Sequence, residues 1–161
     1  MTPKQADISE SFASHQKKIL GFCLRLIGNL QAAEDVTQDV FLRACSQPEK
    51  ELHTAWLYQC ARNKCIDYLR RRNRWNRLKG FLSFRTQETG ADEILIEKRA
   101  SLRVLGALSE KMRTALVLRS YAGLDYQALA EVLEIKESSV KVLLSRARKK
   151  ACELMEEEEK Q

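Results

Sequence analysis

The chain contains no CxxC pair and has only two histidines, two prolines and six glycines in its 161 residues. Nor does it hold an apolar run approaching the ~20 residues that a membrane-spanning helix needs. Each lack removes a class of function. Five cysteines that are odd in number and scattered (Cys23, Cys45, Cys60, Cys65, Cys152) argue against a disulfide framework or a zinc site. Cys60 and Cys65, five residues apart on a helix, would point off a common face, so a redox or metal role with His53 is disfavoured and small buried hydrophobes are expected instead. No P-loop, HExxH or GxSxG occurs, so no enzyme chemistry, metal or cofactor is expected. The N-terminal MTPKQADISESF lacks the apolar core of a signal peptide, which points to a cytoplasmic protein without membrane insertion.

What is abundant is helix-forming residues and positive charge. Leu, Ala, Arg, Glu and Lys dominate, and with 44 % apolar residues an all-α protein with room for a core is expected. The charge is unevenly spread. Between Arg62 and Lys79 stand eight basic residues (Arg62, Lys64, Arg70, Arg71, Arg72, Arg74, Arg77, Lys79) against Asp67 alone, a local +7 in a chain whose net charge is +6. Such concentration is an electrostatic footprint for a polyanion, whose binding is strong and salt-dependent.

Periodicity divides the chain. Phe12, Ile19, Leu20, Cys23, Leu24 and Ile27 mark an amphipathic helix ending near Gly28-Asn29. A second follows with Ala33, Val36, Val40, Phe41 and Ala44 inward and Asp35, Gln38 and Asp39 together outward. Ser46 to His53 reads as a loop, with Thr54 the expected N-cap of a basic helix. There Leu57, Cys60, Ala61 and Leu69 suit the core, and Asn63, Asp67, Arg70 and Arg74 line one exposed ridge. Residues 76–96 lose periodicity and read as a flexible linker, with a short docked segment at Phe81 and Phe84. A second helical unit spans 97–155, and the acidic residues 156–161 read as a solvated, disordered tail. Within this unit DYQALAEVL, a short turn EIKE and SSVKVLLSRARKK have helix-turn-helix spacing, with Ala130, Leu133, Ile135, Val140 and Leu144 at the helix crossing. Ser138 and Ser139 open the second helix, suited to a phosphate, and Lys141, Ser145, Arg146 and Arg148 are candidate DNA contacts.

Together these strings resemble one family, the extracytoplasmic-function (ECF) sigma factors of bacterial RNA polymerase. Residues 33–44, AEDVTQDVFLRA, resemble its polymerase-docking helix; Trp56-Leu57, Ala61-Arg62-Asn63 and Asp67 resemble its promoter-melting segment. Leu108 to Arg113 and Gly123 to Arg148 resemble its C-terminal domain. The resemblance implies two small helical domains, 1–75 and 97–155, joined by the 76–96 linker. It implies that Asp35, Gln38 and Asp39 meet the β′ subunit of core polymerase, whose β subunit is a further partner. Asn63 would read a base extruded from the −10 element, with Trp56, Lys64, Asp67, Arg70, Arg71 and Arg74 beside it. Ser138, Ser139, Lys141, Ser145, Arg146 and Arg148 would meet the −35 element, and an anti-sigma partner is implied. Members commonly carry a polar Ser-Arg pair where this chain has Val142-Leu143, so readout at −35 is expected to lean on DNA shape. The rival is a stand-alone helix-turn-helix regulator whose N-terminal half senses a signal.

Overall fold

In a computed structural model of the protein, residues 3–47, 53–79 and 94–160 are described. Among them the chain forms helices only: α1 (Pro3–Ile27), α2 (Leu30–Cys45), α3 (Thr54–Lys79), α4 (Ile94–Ala107), α5 (Glu110–Ser120), α6 (Tyr126–Leu133) and α7 (Glu137–Glu159). The expected docked segment at Phe81 and Phe84 lies outside the described residues.

The helix ends follow from local chemistry. Gly28 stops α1 in a left-handed conformation (φ 74°) that costs a residue without Cβ nothing, and its N–H closes on the Leu24 carbonyl at 2.8 Å. Asn29 then caps α2, its Oδ1 accepting from the Ala32 N–H at 2.9 Å. Ser109 and Asp125 cap α5 and α6 in the same way. Thr54 does not act as the expected cap. It is already helical, the His53 carbonyl takes the first bond from Leu57, and the Thr54 hydroxyl lies 3.3 Å from the His15 ring.

Helices α1, α2 and α3 pack on one another through Ile19, Phe22, Cys23, Val40, Phe41, Leu57, Ala61 and Cys65, all buried. Helices α5, α6 and α7 pack through Leu118, Leu129, Val132, Val140 and Leu144. These sets form a single buried cluster. Helix α6 lies against α3, and α1 touches α4 and α5. The Arg113 guanidinium is central to that junction. It donates to the carbonyls of Leu105 (2.7 Å), Leu26 (2.9 Å), Gly106 (3.0 Å) and Leu108 (3.2 Å), at and just past the C-terminal ends of α1 and α4. Burial, and then the neighbouring Arg72, push its pKa down. Arg72 itself donates to the Ile27 carbonyl at 3.1 Å.

Close by, the Tyr121 ring lies on bare backbone at Gly21, where a Cβ would overlap the Tyr121 hydroxyl. That hydroxyl donates to the Lys17 carbonyl at 3.4 Å, and the Arg25 guanidinium sits 3.8 Å from the ring centroid. One turn above and one turn below Gly21, α1 therefore grips the same ring.

Two boundaries differ from the sequence reading. Asn76 to Lys79 continue α3 and Ile94 to Ile96 open α4, so the ends of the expected linker are helical. Glu156 to Glu159 belong to α7 rather than to a disordered tail. Four carboxylates at a helix C-terminus oppose the macrodipole, but the helix is already propagating from residues held by Ala147, and Lys150 pairs with Glu153 at 3.7 Å.

Candidate nucleic-acid interface

Helix α3 is built in two parts. From Leu57 to Ile66 it is anchored, with Leu57, Tyr58, Cys60, Ala61, Cys65 and Ile66 buried. From Arg70 to Leu78 its residues are exposed, although Arg72 still reaches back to the Ile27 carbonyl of α1. The ridge of Asn63, Asp67, Arg70 and Arg74 is exposed throughout, as the spacing requires. Asp67, Arg70, Arg71, Asn73, Arg74 and Arg77 line an open cleft of about 530 Å³ along it. A cleft lined by four guanidiniums suits phosphate oxygens.

Arg62 is not part of that open charge. Its side chain is only 11 % exposed and turns toward the second half of the molecule, 3.4 Å from the Val132 carbonyl and 3.9 Å from a Glu134 carboxylate oxygen. Gln59 donates to the same carboxylate at 3.3 Å. Glu134 holds the left-handed C-cap of α6 (φ 55°), a position that favours Gly or Asn, and the turn of the helix-turn-helix thereby meets α3 beside Asn63. The Asn63 Oδ1 lies 3.4 Å from an Arg62 donor.

Asp35, Gln38 and Asp39 are exposed together on α2, and Leu42 one turn on is 69 % exposed. Asp39 also reaches across to Lys64 of α3 at 3.2 Å. With both partners well solvated, that pair is worth under about 1 kcal/mol, so either is available for exchange. Trp56 is half-buried and packs against the core rather than standing clear.

In the other half, the buried stripe Val140, Leu144 and Ala147 fixes α7, leaving Ser138, Ser139, Lys141, Ser145, Arg146 and Arg148 exposed. Val142 is 50 % exposed beside them, while Leu143 packs against the core. The cysteine pair that a redox role would need, Cys60 and Cys65, is buried. A hydrogen bond with Cys23, and then burial, push the Cys65 thiol up and keep it from ionising.

Sequence reasoning missed Arg113, Glu134, Tyr121 and the inward turn of Arg62. The left-handed Glu134 had no glycine to announce it, and contacts between distant segments leave no local pattern.

Two family descriptions match the chain: Sigma-70 region 2 over residues 12–75 and Sigma-70, region 4 over residues 99–150. The ECF RNA polymerase sigma factor SigM of Bacillus subtilis is 28 % identical over 150 residues, covering 89 % of this chain and 91 % of the relative. The RNA polymerase sigma-H factor of Pseudomonas aeruginosa is 30 % identical over 152 residues, covering 83 % and 78 %. Among solved structures, the sigma factor RpoE of Bartonella quintana, in complex with the anti-sigma factor NepR, overlays with a TM-score of 0.73 at 23 % identity, covering 93 % of this chain and 97 % of that one. CnrH, in complex with the cytosolic domain of CnrY, does so with a TM-score of 0.74 at 23 % identity, covering 94 % and 89 %.

Proposed function

The chain belongs to the ECF branch of the sigma-70 family of RNA polymerase sigma factors, and from that premise we propose how its surfaces divide the work of promoter-specific initiation. The α1–α3 half docks on core polymerase and handles the −10 element. The α4–α7 half carries the helix-turn-helix that meets the −35 element. The observation that carries this reading is the single exposed ridge Asn63–Asp67–Arg70–Arg74, with the carboxylate face of α2 linked to it through Asp39 and Lys64.

Asp35, Gln38 and Asp39 offer acceptors to basic side chains of the polymerase β′ subunit. When such a side chain takes Asp39, Lys64 is released toward DNA. Asn63 presents donor and acceptor to the edge of a base that has left the stack, and Arg70, Arg71 and Arg74 hold the adjoining phosphates. Opening DNA without ATP requires that the few kcal/mol of unstacking be recovered by capturing bases in the open strand. Trp56 supports this surface from beneath. In α7, Lys141, Ser145, Arg146 and Arg148 face the major groove and Ser138 and Ser139 a phosphate; exposed Val142 offers an apolar contact instead of a hydrogen bond, so shape contributes to −35 selection.

The −35 and −10 elements are about 25 base pairs apart, ~85 Å at 3.4 Å per step. Helices α3 and α6, packed together, cannot reach both. Engagement of the promoter therefore separates α6 from α3, breaking the contacts of Glu134 with Gln59 and Arg62. An anti-sigma factor is a further partner of the protein, as it is of the structural relative solved in complex with one. No bond chemistry belongs to the chain itself, and it works in the cytoplasm, where polymerase is.

Run-off transcription with core polymerase on a promoter library tests the reading. Specific transcripts are expected only when the protein is added; tight duplex binding by the protein alone with no transcripts would favour a stand-alone regulator. In the same assay Asn63→Ala should lower open-complex formation, seen by permanganate reactivity, more than closed-complex binding.

A further inference from the structure

Between α4, α5 and α7 the packing leaves a cavity of about 520 Å³, and none of the residues assigned above to promoter DNA or to polymerase lines it. Its wall is mostly apolar, with Val104 from α4, Leu116 and Val117 from α5, and Ala151 and Met155 from α7. Met155 is 54 % exposed, a large apolar side chain left partly in water beside this space. Protein interiors pack densely, so a void of this size deprives its lining of the contacts it would otherwise make. Its volume falls within the ~300–1,000 Å³ of small-molecule sites, which are apolar hollows with a few polar groups and are favoured where two bodies meet. Arg25 of α1 brings the other half of the molecule to the wall.

The charged groups say what kind of molecule would fit. Arg25, Glu158 and Glu159 all line the cavity. Arg25 is already engaged, donating to the Gly21 carbonyl at 3.0 Å with its guanidinium 3.8 Å from the Tyr121 ring centroid. Glu158 and Glu159 are exposed and take part in no ion pair among the described residues. They stand on the last turn of α7, where the unsatisfied carbonyls of the helix end add further negative potential. Like charges at that end of a helix oppose each other and the macrodipole, and a cation relieves both. The occupant is therefore apolar over most of its length and positively charged at one end.

We propose that this cavity is a binding site for a small apolar amine, its body among Val104, Leu116, Val117 and Met155 and its ammonium group at Glu158 and Glu159. The same carboxylates turn away an anion of equal shape. The site depends on the packing of α4, α5 and α7, and not on the reading of α3 and α7 as DNA-facing helices.

The test uses the full chain and three dyes that share the dansyl ring system: dansylcadaverine, which ends in an ammonium group, dansylated aminohexanoate, which ends in a carboxylate, and dansylamide, which has no tail. Dansyl emission, excited directly, rises on entering apolar surroundings. A saturable rise is expected with dansylcadaverine. It should vanish in Ala151→Trp, which fills the cavity, and in Met155→Lys, which sets a cation beside it at an exposed helical position and leaves the thermal melt unchanged. Glu158→Gln together with Glu159→Gln should weaken dansylcadaverine about 5-fold and leave dansylamide as it was. Undiminished dansylcadaverine binding in Met155→Lys, or in an Ala151→Trp chain that melts normally, places the dye elsewhere and overturns the site. The absence of saturable binding to the unaltered chain overturns it equally. Equal affinity for dansylcadaverine and the carboxylate dye, each lost in Ala151→Trp, overturns the choice of an amine.

Discussion

Helices α3 and α7 both turn a basic face to solvent, but they make it in opposite ways. α7 lies on its own buried stripe of Val140, Leu144 and Ala147, so each exposed side chain has a fixed bearing relative to the body. α3 carries most of its cations past its buried stretch, on exposed residues of which Arg72 alone is described as reaching back to α1. A seated helix can place one side chain against one base edge. On the proposed reading, an overhanging helix thick with guanidiniums follows a backbone and takes its selectivity from Asn63 at its anchored root, so that specificity and charge fall to different stretches of chain.

The contrast is broken most severely by loosening the body that holds both helices. Arg113→Ala takes this donor from the carbonyls of Leu26, Gly106 and Leu108 and leaves Leu105 with the Leu108 N–H alone, and should cost about 3 kcal/mol of stability in denaturant titration. Replacing Arg70, Arg71 and Arg74 together by Ala should lower DNA affinity by about 100-fold in moderate salt and flatten the log–log salt slope by about 2–3, with little change in which promoters are preferred. Arg146→Ala is the sharpening counterpart. It should lose about 10-fold on promoters with an intact −35 element, nothing on those lacking it, and flatten the slope by about 1 or less. Equal slopes for the α3 and α7 variants would erase the distinction drawn between the helices.

A smaller effect is expected at the anchored root of α3. The Tyr58 hydroxyl is buried without a hydrogen-bond partner, its ring edge-on to Phe22 at 5.2 Å, and burial pushes its pKa up to about 12. The folded state thus holds the phenol proton more tightly than the unfolded chain. The stability this contributes is complete below pH 10 and fades as pH rises from there toward 12. Tyr58→Phe should be near neutral or slightly stabilising at pH 7, and should lessen the alkaline loss of stability followed by circular dichroism.

Much of this was legible before the fold was known. The α2 stripe and the α3 ridge follow directly from helical spacing, and the helix-turn-helix from its turn length and apolar crossing residues. Tyr58, Cys65 and Ile66 escaped the expected α3 stripe because a helix packed between α1, α2 and α6 buries a wider arc than a one-sided pattern suggests. The helical ends of the expected linker escaped because lost periodicity was read as flexibility, and the helical Glu156–Glu159 because charge was read as disorder, whereas an anchored helix can propagate through unfavourable charge. The junction of the halves was not legible at all. Arg62 reads locally as one more cation in a basic run, and only the approach of Glu134 reveals that it faces inward.

The ring of Tyr121 over Gly21 has a consequence for how such chains can vary. A Cβ at position 21 would meet a side chain from the other half of the molecule. The two sites are therefore sterically coupled. A lineage that gains alanine at 21 must turn the tyrosine aside or trade it for something smaller, and one that loses the ring frees α1 to accept a better helix former. Variation at either position would then record how tightly the two halves have been held together over time.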